Sequence, residues 1–373
     1  MTDFLAELRE ELLDGIERHE RAPGRRNRFG ARDRRRIGTA ARRLVAVAVA
    51  AAAAVALAVQ LDQPAPELER TTRPQVSRLE GFHASGLVAA DGALWVTQYD
   101  TAALLRIDLQ TGRIRTRTDV GGSPGAVIAV GGAVWVHDWE QGRLLKVEAN
   151  TNRVVRSLAV GTTNGDLALA AGSVWAIDRG GTLLRVDPDT AAVTDRLSLG
   201  AAAPRSTDHS TGPALAAAGD TLWVVAGDGP VTEIDAGTGR ILGAARGPGL
   251  PLETSRRTGA DAGGLWISSP ARREVVHIDA RTRRVSRFPV HGDPGPLAIV
   301  DGRIWVGTLH DTGSVTRVTV LATNGRRVGS MPVPGQAVNI VPAPGGGAWV
   351  AFGENGTVSP AALRLPDLQR GMG

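Results

Sequence analysis

Along residues 91–112, DGALWVTQYDTAALLRIDLQTG, the apolar positions fall into two short runs separated by polar turns. An Asp-Gly turn leads into a run centred on Trp95, a polar loop follows, and an alternating run ends at Asp108 ahead of a Thr-Gly turn. Strand-length runs bounded by Gly, Asp and Thr predict β-hairpins. The arrangement recurs six more times, around Trp135, Trp175, Trp223, Trp266, Trp305 and Trp349, each preceded by a small-residue turn. Partner endings follow at Asp108, Glu148, Asp187, Asp235, Asp279 and, in degraded form, Thr319.

The spacings between these tryptophans are 40, 40, 48, 43, 39 and 44 residues. A period of forty-odd residues carrying short strands predicts an all-β fold, a seven-bladed β-propeller of four-stranded antiparallel blades. One such blade cannot bury both of its faces until neighbours stack on it. Within a blade, the first strand precedes the glycine turn, the second carries the tryptophan, the third ends in the Asp, and the fourth follows the Thr-Gly turn. After Trp349 the repeat runs out at its third strand. Residues 74–79, PQVSRL, resemble the fourth strand RVSRF at residues 284–288, so the N-terminal strand is expected to complete the last blade. Closure of that kind removes exposed sheet edges.

Upstream of the repeat the pattern changes. In residues 2–20, Phe4, Leu5, Leu8, Leu12 and Ile16 recur at helical steps opposite acidic positions, which predicts an amphipathic helix. Residues 21–43 are rich in Arg, Gly and Ala, and residues 44–59 are sixteen consecutive Ala, Val and Leu, extended by Gln60 and Leu61. A basic flank on one side of an apolar run of nearly bilayer-spanning length predicts a signal anchor from Leu44 to Leu61 with the N-terminus cytoplasmic. A cleaved signal peptide is the competing reading, with Ala56-Leu57-Ala58 as the cleavage motif. The domain plan is then a cytoplasmic segment 1–43, a transmembrane helix 44–61, a Pro- and Glu-rich linker 62–74, and an extracytoplasmic propeller 75–373.

Charge supports this division. The formal net charge is +5, and residues 1–43 hold 12 Arg against 8 acids, so the remaining 330 residues contribute only +1. A nearly neutral propeller has no electrostatic footprint for nucleic acid. The chain has no cysteine, which excludes disulfides and thiolate metal sites.

In a propeller, the loops between second and third strands and between successive blades gather at one mouth of the central channel. Candidate binding residues on those loops are His83, Gln98, His137, Asp138, Trp139, Asp178, His209, His291, His310 and Glu354. Trp139 stands outside the tryptophan register, between Asp138 and Glu140. No catalytic residue is assigned. No cofactor is assigned either, although histidines and carboxylates converging on a pore leave a divalent metal open. The seven repeat tryptophans read as packing residues, and the repeated Asp of the Asp-x-x-Thr turns reads as a turn cap.

The pattern G-x-[LIV]-W-V followed by L-x-R-I-D-x-x-T-G, across residues 75–366, resembles the virginiamycin B (streptogramin) lyase-like propellers and the related YVTN and NHL-type repeat proteins. That resemblance implies a propeller, and for the lyases a magnesium-dependent elimination carried by a Trp-Phe-Thr-Glu run and a Glu-x-His element. Here the matching fourth positions are Gln98, Asp138, Asp178, Ala226, Ser269, Thr308 and Phe352, and no Glu-x-His occurs. The expectation is therefore a monomeric, membrane-anchored binding module whose mouth takes a protein, peptide or cell-envelope ligand. A metal-dependent lyase or hydrolase is the alternative. The topology has a direct check: protease added to intact cells should degrade the repeat region and spare the N-terminal segment, and digestion of an N-terminal tag would overturn the anchor.

Overall fold

The computed structural model describes residues 69–70, 84–161, 165–178, 180–200, 213–225, 230–245, 257–309, 316–333, 336–344, 346–354 and 357–364. The amphipathic segment 2–20, the apolar segment 44–61 and the strand expected at 74–79 lie outside these residues. Among the described residues no helix is long and apolar enough to cross a membrane. All of them but Pro270–Arg272, a single 3-10 turn, belong to strands and their connections, within a compact unit of Ala65–Gly373.

The strands make an all-β propeller of antiparallel four-stranded sheets. Six sheets are each built from four consecutive strands, and one further sheet joins the two ends of the repeat. The first sheet is typical: Ala84–Ala90, Ala93–Gln98, Ala103–Asp108 and Ile114–Asp119 pair in order. In four of the sheets the first and second strands are joined by tight turns with positive φ at both central positions, as at Asp91 (49°) and Gly92 (70°) or Asp301 (50°) and Gly302 (66°). That geometry matches the twist of the flanking strands.

First strands line the channel and touch their counterparts in the neighbouring sheets all the way round, including Ala84–Ala90 against Gln336–Pro342 across the seam. Approach there is close. A Cβ on Gly86 would lie 2.6 Å from the Gly125 carbonyl oxygen and 2.9 Å from a Val127 methyl, which leaves room only for glycine.

The tryptophan strands are buried on both faces because a sheet lies against each face. Ala93–Gln98 and Gly264–Ser269 are buried at every position, whereas the fourth strand Ile114–Asp119 is largely exposed. Each tryptophan enters the cluster made with the next sheet: Trp95 packs with Val134, Val136, Leu145 and Val147. At the seam, Trp349 packs with Leu94, Val96, Leu105 and Ile107 of the first sheet. Apolar packing therefore closes the ring as well as building it.

The Asp-x-x-Thr turns form as expected. One oxygen of Asp108 accepts hydrogen bonds from the amides of Gln110 (3.0 Å) and Thr111 (2.7 Å) and the Thr111 hydroxyl (2.8 Å). Its other oxygen accepts from Arg115 Nε at 2.8 Å. Donors from Thr111 and the Arg115 charge hold the Asp108 carboxyl down at about 2. Asp187, Asp235 and Asp279 are lowered in the same way by Thr190, Thr238 and Thr282.

An N-terminal strand completes the Trp349 sheet: among the described residues Glu69–Arg70, inside the segment read as linker, pairs with Thr357–Arg364, while the strand expected at 74–79 lies outside the described residues. Glu69 lies opposite Arg364 and Arg70 opposite Leu363. Fourth strands are mostly exposed, so their side-chain pattern hardly constrains which extended segment supplies the backbone hydrogen bonds. A chain starting at Thr71 should melt a few degrees below one starting at Ala65, at about 1 kcal/mol per lost hydrogen bond. Identical melting of the two would show that the pairing at Glu69–Arg70 contributes nothing to closure.

Candidate functional site

The channel holds a cavity of about 480 Å³ whose wall draws on the first strands of every sheet. Its lining is dominated by small and aliphatic side chains, among them Ala126, Leu169, Leu215, Ala217 and Ile340. Leu169 is 42% exposed, which is unusual for a leucine in a strand, and its exposed surface faces this cavity. Polar lining comes from Ser85, His137, Asp166, Thr258 and Asn339, with Trp139 beside them. Among the described lining residues Asp166 alone is acidic, and its carboxylate accepts backbone N–H groups of Leu167 (2.8 Å) and Leu215 (3.0 Å). The second of those bonds ties one sheet to the next.

His137 sits near the end of Ala133–Asp138 and is 2% exposed. In the first and fifth sheets the equivalent residues, Thr97 and Ser268, donate their hydroxyls to the carbonyls of Gly125 and Gly295 in the following sheet. His137 instead lays its ring against that neighbour: a Cβ on Gly165 would lie 3.5 Å from His137 Cε1 and 1.7 Å from the Ile177 carbonyl oxygen. Its Nδ1 is buried and has no hydrogen-bond partner among the described residues. Burial pushes the imidazole down to about 4, against the opposing pull of Asp138.

In the first three sheets the residue three places after the tryptophan ends or directly follows the second strand and binds groups of the adjoining loops. Asp138 is wholly buried. It accepts N–H groups of Ser123 (3.0 Å) and Gln141 (3.2 Å) on one oxygen and both Nε (3.1 Å) and Nη2 (2.7 Å) of Arg143 on the other. A Cβ on Gly122 would lie 2.3 Å from that carboxylate, so the loop closes over it only with glycine there. Gln98, also wholly buried, accepts from the Thr101 hydroxyl at 3.2 Å, and Asp178 accepts the Thr182 amide at 2.7 Å. These three side chains are thus engaged in shaping the mouth.

Trp139 is partly buried at the mouth, where its amide donates to the Ser123 carbonyl (3.2 Å) and the Ser123 hydroxyl reaches Glu140 (2.9 Å). His291 is exposed on the connection ahead of Asp293–Val300. His83, His209 and His310 lie outside the described residues, as does the side chain of Glu354. Of the ten candidates, the structure brings His137 and Trp139 together on the channel wall. Among the described residues no three of His, Asp or Glu are placed to share a metal ion. Sequence reasoning missed Asn339, Thr258 and Leu169. Asn339 leaves one trace, a polar residue set in the apolar run Ala337–Val341.

Among solved structures, the chain is similar to BamB from Moraxella catarrhalis, with 17% identity and a TM-score of 0.55 over 75% of this chain and 85% of that one. It is also similar to hydrazine synthase from Kuenenia stuttgartiensis, with 14% identity and a TM-score of 0.61 over 80% and 98%. At such identities the likeness is one of fold: both support a β-propeller repeat protein, and neither carries the streptogramin lyase-like assignment. No protein-family profile and no curated protein matches the sequence.

The buried imidazole makes a pH prediction. The unfolded chain protonates His137 near 6.5, the folded chain only near 4. The contribution of the neutral ring is fully present above about pH 6.5 and is lost as pH falls towards 4, where both states bind the proton. In urea unfolding, His137→Gln should remove up to about 1.4 kcal/mol per pH unit of slope in that window. An unchanged slope would mean that the ring is protonated in the folded protein.

Proposed function

We propose that the chain is a binding module: a seven-bladed β-propeller held at a membrane by residues 44–61, whose mouth docks a protein or peptide ligand of the cell envelope. The observation that carries this reading is where the repeats differ. At the far end of the ring the turns between first and second strands are two residues long in the first six sheets, as at residues 91–92 and 131–132. At the mouth the connections vary up to 12 residues (246–257) and 15 residues (199–213). Repeat proteins acquire specificity through loop insertions on one face, while the regular face serves the scaffold.

The described mouth surface suits a docked chain. Tyr99 and Trp139 supply aromatic area at low conformational cost. The Arg273–Asp293 pair (3.0 Å, both half-exposed) and the Ser123–Glu140 bond offer a polar rim. Similarity to BamB, itself a propeller, is consistent with this use of the fold.

A photo-crosslinking amino acid placed in intact cells tests the reading. At positions 99 and 139 it should give discrete protein adducts, while at Gln110, exposed in a turn at the opposite end, it should give none. Equal yields from position 110, or no adducts from the mouth, would overturn the proposal.

A further inference from the structure

The channel carries chemistry that protein docking at the mouth does not use. At about 480 Å³ it has the size of a small-molecule site, and its exposed wall is more polar than apolar. The formal charge on the described wall is negative. Asp166 accepts two backbone amides, and neutral donors of that kind leave the charge of the carboxylate in place. No Lys or Arg is among the described lining residues, and burial keeps the His137 imidazole neutral at pH 7. An anion entering would lose hydration and meet a like charge, whereas a cation would exchange water for a carboxylate in a site of reduced dielectric.

Strand register shows what else a cation meets there. Asp166 and Asn339 sit at one level of the channel: each lies two places ahead of the first-strand residue that pairs with the tryptophan, Ala168 with Trp175 and Val341 with Trp349. At the same level the first and fourth sheets carry only Gly86 and Ala214, so space stays open between them. Ser85 and Thr258 line the cavity one place to either side of that level. Carboxylate, carboxamide and hydroxyl oxygens all accept from an ammonium, and carboxamide and hydroxyl groups also serve the hydroxyls of a ligand. Trp139 adds an indole, which takes the C–H face of a small ring or lies beside its charge.

We propose that this channel binds a hydroxylated primary ammonium of amino-sugar size, its charged group at Asp166, its hydroxyls against Asn339, Ser85 and Thr258, and its C–H face on Trp139. The site does not rest on the protein-docking reading, and either can fail alone.

Three pyranoses separate the charges: glucosamine, glucose and glucuronate, titrated calorimetrically into the full chain in a sugar-free nonionic detergent, at low ionic strength and a mildly acidic pH that keeps the amine protonated. Glucosamine should bind at least tenfold more tightly than either of the others. Leu169→Arg, which adds a cation to the wall from an already exposed position, should weaken glucosamine tenfold or more, while Leu169→Gln should change it less than threefold. Asp166→Asn should bring glucosamine and glucose to equal affinity. Because that substitution also disturbs the bond to the Leu215 amide, the two Leu169 variants decide the matter should it not fold. Comparable affinity for glucosamine and glucose, equal effects of Leu169→Arg and Leu169→Gln, or no binding of glucosamine at millimolar concentration would each overturn the proposal.

Discussion

Everything in this protein depends on an indole wedged between sheets. Trp95, Trp135, Trp175, Trp223, Trp266, Trp305 and Trp349 are each no more than 1% exposed, and each sits in an apolar cluster with side chains of the following sheet. Burying the 150–250 Å² of such a side chain is worth about 4–6 kcal/mol. Their indole N–H groups find no hydrogen-bond partner among the described residues, so shape and apolar contact do the holding. A single sheet leaves its tryptophan uncovered. The stacked ring is the smallest arrangement that covers them all, and the Trp349 cluster is where it closes.

The residue paired with the tryptophan on the third strand refines this contact. Arg106, Lys146 and Arg185 place their charges 5.2, 5.7 and 5.8 Å from the ring centroids of Trp95, Trp135 and Trp175. His277 stacks on Trp266 at 4.1 Å. Opposite Trp223 stands Glu233, and there the cation comes from the next sheet: Arg283 lies over Trp223 and pairs with the buried Glu233. A charge that would be costly to bury alone is thereby compensated across a sheet boundary.

The mouth obeys a related constraint. Asp138 is tolerated without exposure only because two amides and a bidentate guanidinium surround it, and the loop over it needs Gly122. The most acidic-looking motif at the mouth is consumed in building it, and on the described channel wall the Asp166 carboxylate is held by two backbone amides.

Sequence by itself determined the repeat. A tryptophan at a period near forty residues, Asp-Gly turns and Asp-x-x-Thr caps each name a local geometry, and local geometry needs only neighbours a few residues away. Trp139 could be singled out because it broke that register. Tertiary structure decided what depends on residues far apart in the chain. Whether His137 meets water or Gly165, whether Asp138 is free or enclosed by Arg143, and whether Leu169 faces a core or a channel all turn on packing between sheets. The closing strand is the sharpest case: exposed outer strands carry little side-chain pattern, and it was backbone pairing with Thr357–Arg364 that drew Glu69–Arg70, read from sequence as linker, into the last sheet.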